Sequence, residues 1–232
     1  MTAKKLVDGL YRIPGLANTY LIDAPEGLAL IDTGFPNGAG KILAAMRQLG
    51  RAPSDLRHII LTHAHFDHIG SLAAIAGATG ARTYMHPLDA PIAERGAGFR
   101  PLKQPAPGLL PSLLFKVFAR RNPTVEPCRI DQTVTDGEVL PIAGGLKVIH
   151  VPGHCAGQIA LLWAPQRVLF TGDACTNIFG LGPPIGYEDQ AEGERSQRKL
   201  AGLDFKIACF GHGPPLLHDA AAQFRARWNG AR

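Results

Sequence analysis

A short segment of this sequence, residues 62–68 (THAHFDH), concentrates side chains that bind metal ions. It contains His63, His65 and His68 together with Asp67. Histidine is the commonest metal ligand because its neutral imidazole offers a lone pair near pH 7, and a nearby carboxylate lowers the cost of holding a dication. His63 and His65 can face the same side if the backbone is extended, because alternate residues of an extended chain share a face. The alternative is a polar turn with incidental histidines.

The flanking sequence places this segment at the end of a strand. Residues 56–62 form an apolar run rich in β-branched residues, which predicts a short buried strand. Residues 69–76 carry apolar side chains at helical spacing, so the segment becomes the loop that enters a helix. Loops in this position commonly carry ligands and catalytic groups in α/β proteins.

Three further candidate ligands share this position at strand ends. His154 in Pro-Gly-His, Asp173 in Thr-Gly-Asp and His212 in Gly-His-Gly each follow a predicted strand and are flanked by glycine. Glycine lets the backbone turn tightly and lets a ligand approach. A single strand-end histidine is more often a hydrogen-bonded surface residue, so the argument rests on the whole set. Surface or capping positions are expected for the remaining histidines, which are His58, His86, His150 and His218.

Composition excludes several classes of protein. The 232 residues are 46% hydrophobic and 19% charged, which is typical of a globular chain. The formal charge of +5 comes without a dense basic run, so we expect no nucleic-acid partner and a small-molecule substrate. No apolar run approaches the ~20 residues that span a bilayer. The first residues lack the features of a signal peptide, so we expect a cytoplasmic protein.

The order of predicted elements indicates one domain over residues 1–232. Strands predicted at 6–13, 18–23 and 27–32 form an antiparallel meander, and a second group of strands and helices follows without a flexible linker. Two sheets packed face to face with helices outside would bury this many strands. Asp32 ends the third strand, either as a turn-forming residue or as a carboxylate that steers a metal ligand.

Residues 87–127 form an irregular insertion that contains eight prolines and the apolar stretch Leu109–Phe118. Long irregular insertions are usually lids, binding loops or disordered segments, and this one is too apolar for simple disorder. We interpret it as a short helix packed over the active face, which contributes Leu113, Phe115 and Phe118 to a substrate pocket. The alternatives are ordinary core packing or the contact of a homodimer.

The complete set of motifs resembles the metallo-β-lactamase fold hydrolases. The matching signature is His63-x-His65-x-Asp67-His68, followed in the family's order by His154, Asp173 and His212, with Asp32 at the early strand end. The resemblance implies an α/β (α+β) fold: a four-layer αβ/βα sandwich of two mixed, mostly antiparallel sheets with helices outside. It places the metals at one edge, between the two sheets.

The resemblance also implies a ligand set for two zinc ions, with iron or a mixed pair as the alternative. The first ion would be held by His63, His65 and His154, the second by Asp67, His68 and His212, and Asp173 would bridge both. Asp32 would orient one of these ligands from behind. An aspartate at position 173, where some β-lactamase classes carry a cysteine ligand, resembles the glyoxalase II and lactonase type of site.

The function implied is a hydrolase that cleaves an ester, lactone or thioester bond of a small molecule with a hydroxide bridging the metals. Asp67 would orient this hydroxide and later carry its proton. Many lactonases place a tyrosine three residues after the bridging aspartate, and Thr176, Asn177 or Tyr187 would substitute for it. The alternatives are an oxidoreductase resembling the persulfide dioxygenases, with a single iron, and a β-lactam or phosphodiester hydrolase of the same superfamily.

Overall fold

The structure is a computed structural model that describes residues 3–118 and 123–230; within residues 109–118, the side chains of residues 110, 111, 114, 117 and 118 are outside the described part. The strands of the described residues are β1 (Lys4–Val7), β2 (Leu10–Ile13), β3 (Thr19–Ala24), β4 (Gly27–Ile31), β5 (Leu56–Ile60), β6 (Arg82–Met85), β7 (Gln104–Pro105), β8 (Gln132–Thr133), β9 (Val139–Leu140), β10 (Leu146–His150), β11 (Ile159–Trp163), β12 (Val168–Phe170), β13 (Gly186–Tyr187) and β14 (Ile207–Cys209). The helices are α1 (Ala39–Gln48), α2 (Phe66–Ile69), α3 (Leu72–Thr79), α4 (Ala90–Glu94), α5 (Leu109–Phe118), α6 (Gln190–Ala201) and α7 (Ala220–Trp228).

These strands form two large mixed sheets and one small one. The first sheet has the order β1-β2-β3-β4-β5-β6-β8, antiparallel up to β4 and parallel from there on. The second has the order β14-β12-β11-β10-β9, and only the β12–β14 pair is parallel. Strands β7 and β13 pair with each other, so the insertion is tied to the chain that precedes α6.

Side chains that alternate between the two faces of the strands form three apolar clusters. In β3 and β4, Leu21, Leu28 and Leu30 pack with α1 and α3 on one face, while Ile22 and Ile31 pack against the second sheet on the other. This follows from the period of two residues in a strand. On the far side of the second sheet, α6 and α7 cover another cluster. Helix, sheet, sheet and helix layers confirm the predicted four-layer sandwich.

Some predicted boundaries differ from those observed. The strand expected at residues 6–13 is a hairpin of β1 and β2, because Gly9 takes a φ of +73° and turns the chain. Strand β8 after the insertion is only two residues long. The helix predicted in the insertion is present as α5, whereas α4 was not predicted. No helix in the described ranges is long and apolar enough to cross a membrane.

Polar contacts also join the two sheets near their ends. The Tyr20 hydroxyl donates to the Phe210 carbonyl over 2.8 Å, and its ring packs edge-on against Phe170 at 5.4 Å between centroids. The Asn18 amide donates to the carbonyls of Phe210 and Gly213 over 3.0 and 2.7 Å. The loop after β14 is therefore held by residues almost 200 positions earlier in the sequence.

Two histidines form a second contact between the sheets. His86 follows β6 and His150 ends β10, and their rings stack at 4.2 Å between centroids with 7° between planes. His86 is 6% exposed, which contradicts a surface position, while its Nδ1 accepts a 3.3 Å hydrogen bond from the Leu88 N–H in the turn before α4, as expected of a capping position. Burial lowers the pKa of His86, the charge of His150 lowers it further, and it falls to about 4.

Replacing Phe224 tests the core under α7. Its side chain is fully buried and packs on Phe205 and Trp228 at 5.1 and 4.9 Å between ring centroids. Phe224→Ala should lower the free energy of unfolding by about 3–5 kcal/mol, because it removes buried apolar area and leaves a cavity. Phe179→Ala is the matched control, since Phe179 is 78% exposed. Denaturant unfolding of both variants measures the difference, and similar losses would contradict the assignment.

Replacing His86 tests the contact between sheets as a function of pH. The pKa of about 4 in the folded chain lies below the usual 6.5, so the unfolded chain binds more protons between these values. The neutral imidazole therefore contributes stability that is complete above pH 6.5 and is lost as the pH falls towards 4. Metal-free His86→Asn protein should lose less stability than wild type between pH 7.5 and 5. Equal losses in urea titrations at the two pH values would count against this account.

Candidate metal centre

The candidate ligands come from loops that follow strands of both sheets. The first segment begins just after β5, where His65 has an extended backbone (φ −99°, ψ 145°) and precedes α2, which contains Asp67 and His68. His154 follows β10, Asp173 follows β12 and His212 follows β14. The extended backbone before α2 places His63 and His65 on one side. The helix that follows places Asp67 and His68 on another.

Three imidazoles form a first triad. His65 Nδ1 lies 3.1 Å from His63 Nε2 and 3.0 Å from His154 Nε2. All three side chains are buried, and their ligand atoms lie within 4.8 Å of one another. Three nitrogen ligands at this spacing suit a tetrahedral zinc ion with one further position.

A second triad contains Asp67, His68 and His212, whose ligand atoms also lie within 4.8 Å of one another. Asp67 Oδ2 is 3.2 Å from His212 Nε2 and 3.9 Å from His68 Nε2. Asp173 lies between the triads: its Oδ2 is 3.1 Å from His212 Nε2 and 3.8 Å from His154 Nε2, while its Oδ1 is 3.5 Å from His68 Nε2. The structure thus brings all seven predicted ligands together, and metal binding by them stays a prediction.

Each of the five imidazoles has its outer nitrogen beside an oxygen atom. The pairs are His63 Nδ1 with Thr62 Oγ1 (3.0 Å), His65 Nε2 with Arg100 O (3.1 Å), His68 Nδ1 with Asp32 Oδ2 (2.8 Å), His154 Nδ1 with Gly186 O (2.9 Å) and His212 Nδ1 with Leu16 O (2.6 Å). Carbonyl and carboxylate oxygens accept only, and the Thr62 hydroxyl gives its proton to Asp32. The outer nitrogens therefore donate, so the lone pair of each neutral imidazole lies on its inner nitrogen.

The inner atoms fit a cation. His68 Nε2 and Asp173 Oδ1 are buried and have no hydrogen-bond partner among the described residues. A buried polar atom without a partner costs about 1–3 kcal/mol. Lone pairs from several nitrogens meet in the same volume, and a positive ion would satisfy them together. The donor set of imidazoles and carboxylates is that of zinc or a similar divalent metal.

The electrostatics of the two triads are opposite. Burial lowers the pKa of His65, and His154 lowers it further, to about 3. Burial also lowers the pKa of His212, but Asp173 and Asp67 outweigh this effect and raise it to about 10. Burial raises the pKa of Asp67, yet His68 and His212 outweigh it and bring it to about 2. The second half of the site therefore holds carboxylates that need a positive partner, which a dication supplies.

Asp32 serves both as a turn residue and as a carboxylate behind a ligand. Its φ of 59° is the left-handed conformation that aspartate tolerates in turns. Its Oδ1 accepts from the Thr62 backbone N–H and its Oδ2 from the Thr62 hydroxyl, each over 2.8 Å. Oδ2 also accepts from His68 Nδ1. The side chain fixes the start of the ligand segment and the orientation of His68.

The predicted oxyanion substitutes are engaged within the fold. Tyr187 is 1% exposed, and its hydroxyl accepts a 3.0 Å hydrogen bond from Gln197 on α6. Thr176 Oγ1 donates to the Pro183 carbonyl over 3.0 Å, and Asn177 Nδ2 donates to the Pro214 carbonyl over 2.8 Å. Each of the three side chains therefore already bonds within the fold, and stabilisation of an oxyanion by one of them stays a prediction.

The predicted apolar pocket residues on α5 differ in their positions. Leu113 is 60% exposed. The ring of Phe115 packs beside Gly186, where an added Cβ would lie 2.6 Å from Phe115 Cδ2, and the Gly186 carbonyl binds His154. The side chain of Phe118 is outside the described residues. Helix α5 therefore touches the support of the first triad, while its role as a lid stays a prediction.

Sequence reasoning missed three residues behind the first triad, namely Asp89, Arg100 and Glu188. Asp89 is fully buried and Arg100 lies between it and Glu188. Arg100 and Gly186 reach histidines through their backbone carbonyls, which leave no signal in the side-chain sequence. Asp89 lies in the insertion just before α4, and the proline at the second position of that helix is the one sequence signal that could have marked Asp89 as a helix-start residue.

Comparison with known proteins agrees with this geometry. A model of the Metallo-beta-lactamase superfamily matches residues 12–212. The chain is 30% identical over 218 residues to the probable metallo-hydrolase YflN of Bacillus subtilis (strain 168), covering 87% of this chain and 82% of that protein. It is 28% identical over 181 residues to an N-acyl homoserine lactonase of a Bacillus species, covering 67% of this chain and 62% of that enzyme.

The fold is similar to that of solved structures. It superposes on the crystal structure of a metallo-beta-lactamase family protein from Thermus thermophilus with a TM-score of 0.72 and 26% identity, over 97% of this chain and 79% of that one. The chain spans between 47% and 64% of the length of seven curated relatives other than YflN. The substrate of a relative therefore does not transfer to this chain by similarity alone.

Asp32→Asn tests the support of the second triad. An amide nitrogen at Oδ2 would face the N–H of His68 and the hydroxyl of Thr62, and we expect the zinc affinity to fall about 10–100-fold. Asparagine tolerates the positive φ, so the backbone should keep its shape. Competition with a chromophoric chelator measures the affinity. The control is Asp131→Asn, whose carboxylate accepts from Thr83 N and Oγ1 over 3.0 Å each, outside the centre. Wild-type affinity in Asp32→Asn would refute the role.

Proposed function

This chain belongs to the metallo-beta-lactamase superfamily, a family of metal-binding hydrolases, and we propose that it is a dinuclear zinc hydrolase acting on an ester, lactone or thioester of a small molecule. The observation that carries the proposal is the convergence of five inner imidazole nitrogens and two carboxylates, with every outer nitrogen held by an oxygen. Such a set fits two divalent ions better than one, because two complete triads share Asp173.

Each ion has its own protein ligands in this proposal. His63, His65 and His154 hold the first ion, Asp67, His68 and His212 hold the second, and Asp173 serves both. Zinc in such a site supplies a water whose pKa is lowered to about 7 and polarises a substrate carbonyl. The remaining work belongs to the side chains: they fix the ligand geometry and move the proton.

We assign the movement of that proton to Asp67. Its contacts with His68 and His212 both use Oδ2, which leaves Oδ1 for the reacting groups. The lowered pKa of about 2, at which burial is outweighed by His68 and His212, keeps the carboxylate ionised at neutral pH. An ionised carboxylate can orient a water by accepting its hydrogen bond, and it can pass the proton to the leaving group.

Exposed apolar side chains near the second triad favour a partly apolar substrate. Leu16 is 81% exposed, and its carbonyl accepts from His212. The Asn177 N–H donates to the His212 carbonyl over 3.0 Å, and Ile178 and the 78%-exposed Phe179 follow it in the chain. Exposed large apolar groups around a polar centre suit an acyl chain or a ring. The similarity to an N-acyl homoserine lactonase supports the inclusion of lactones.

Two substitutions test catalysis in the proposed site. His65→Ala removes a ligand of the first ion, and Asp67→Ala removes the proton carrier; each should lower kcat/KM by about 10²–10⁴-fold or more while the circular dichroism spectrum stays the same. The matched controls are His218→Ala and Asp8→Ala, at exposed positions away from the centre. Unchanged turnover in both site variants would refute the assignment.

Metal analysis and a substrate panel separate the alternatives. Purified protein should contain two zinc ions per chain and should lose hydrolysis on chelation, with recovery when zinc is restored. The panel should include lactones, thioesters, aryl esters and a β-lactam of similar size. A single iron with oxygen uptake would instead favour a persulfide dioxygenase-like reaction, and turnover of the β-lactam alone would favour that branch of the superfamily.

A further inference from the structure

A buried carboxylate outside the ligand set lies behind the first triad. Asp89 is fully buried, just before α4. Its Oδ2 accepts a 2.9 Å hydrogen bond from the N–H of Ala64, the residue between His63 and His65. Its Oδ1 accepts a 3.1 Å hydrogen bond from the N–H of Gly157, three residues after His154. One side chain therefore holds both segments that carry the first triad.

The close approach of the second segment depends on glycine. A Cβ added at Gly157 would lie 2.2 Å from Asp89 Oδ1 and 2.4 Å from its Cγ, closer than real Cβ atoms come to such atoms. Gly157 does not have a positive φ, so its backbone conformation does not require glycine. The carboxylate of Asp89 is what excludes a side chain there.

Two further charged residues complete the arrangement. Arg100 Nη1 lies 3.4 Å from Asp89 Oδ1, and Arg100 Nε donates to Glu188 Oε2 over 2.6 Å. Glu188 Oε2 also accepts a 2.9 Å hydrogen bond from the N–H of Ala156, next to Gly157. The carbonyl of the same Arg100 accepts from His65 Nε2. The guanidinium of Arg100 thus lies between two carboxylates, and the backbone carbonyl of the same residue contacts His65.

Burying a carboxylate is costly unless it is hydrogen-bonded and paired. Asp89 meets both conditions by using donors from two loops that follow strands of different sheets, β5 and β10. A residue that only stabilised the fold could be apolar at this place. A carboxylate adds direction, because its two oxygens fix where Ala64 and Gly157 lie relative to each other.

We propose that Asp89 is the positioning residue of the first triad, locking His63, His65 and His154 at a common spacing through the backbones of Ala64 and Gly157. The inference rests on the proposed metal-binding function. Asp32 orients His68 of the second triad and, through the Thr62 hydroxyl, also reaches His63 of the first. The support of the centre is thereby divided unequally: loss of Asp89 should affect the first ion more than the second, whereas Asp32 contacts the segments of both.

Zinc affinities in two backgrounds test this division. His212→Ala leaves the first triad complete, and His154→Ala leaves the second complete. In the His212→Ala background, Asp89→Asn should weaken zinc binding about 10–100-fold, because one amide oxygen can no longer accept from both N–H groups. In the His154→Ala background, the same change should alter affinity less than about threefold, whereas Asp32→Asn should weaken zinc binding there about 10–100-fold because it orients His68.

A second pair of variants and a metal-free measurement guard against simple misfolding. Gly157→Ala should reproduce the selective loss at the first triad, with Gly77→Ala in α3 as the control because nothing lies within 4 Å of its added Cβ. In metal-free Asp89→Asn protein, the backbone amide of Ala64 or Gly157 loses its hydrogen bond to the side chain at position 89. The hydrogen of that amide should therefore exchange with solvent about tenfold faster than in wild type.

The outcomes separate the two proposals. If wild-type protein binds two zinc ions but Asp89→Asn weakens both backgrounds equally or neither, the role of Asp89 is refuted and the proposed function stands. If wild-type protein binds no metal, the proposed function is refuted and the inference falls with it. Selective loss in the His212→Ala background, repeated by Gly157→Ala, supports the division.

Discussion

The burial of charged and lone-pair-bearing groups at one edge of the sandwich is the constraint on which the rest of the structure depends. Unpaired charges and unsatisfied polar atoms are expensive in a protein interior. Here two carboxylates and five imidazoles meet where the inner faces of the sheets end, and two of their inner atoms, His68 Nε2 and Asp173 Oδ1, have no hydrogen-bond partner among the described residues. The surrounding loops are shaped by the need to supply acceptors to the outer nitrogens of the imidazoles.

Most of those acceptors are backbone atoms held by contacts from distant parts of the chain. Leu16 reaches His212 through its carbonyl, and Asn18 two residues later binds the carbonyls on both sides of the same histidine loop. Asn177 holds this loop from the opposite direction through Pro214. Asn177, which was expected near the substrate, thus uses its side chain to hold the loop of His212. A polar residue near the metal site therefore need not face its opening.

The sequence was informative where side-chain type and local period decide structure. Sequence analysis predicted the strand before residue 62, the helix after the ligand segment and the position of the candidate ligands after strands, because alternation, helical spacing and glycine act locally. The burial of Tyr187 was not foreseen, since the position of its hydroxyl depends on Gln197, a tertiary contact. Arg100 could not be found because its carbonyl, rather than its guanidinium, binds His65. Whether Leu113 belongs to a pocket depends on how α5 lies, which local pattern does not determine.

The supports behind the imidazoles are unequal, and this makes the two halves of the centre electronically different. Three of the outer nitrogens face neutral carbonyls, one faces a hydroxyl, and only His68 faces a carboxylate. His68 is therefore the most electron-rich donor, and it lies in the triad that already contains Asp67. A cation there would have much of its charge neutralised, whereas one among three neutral rings would keep more of it. With a cation in each triad, the one among His63, His65 and His154 would be the stronger Lewis acid, and the one beside His68 would be more nearly charge-balanced.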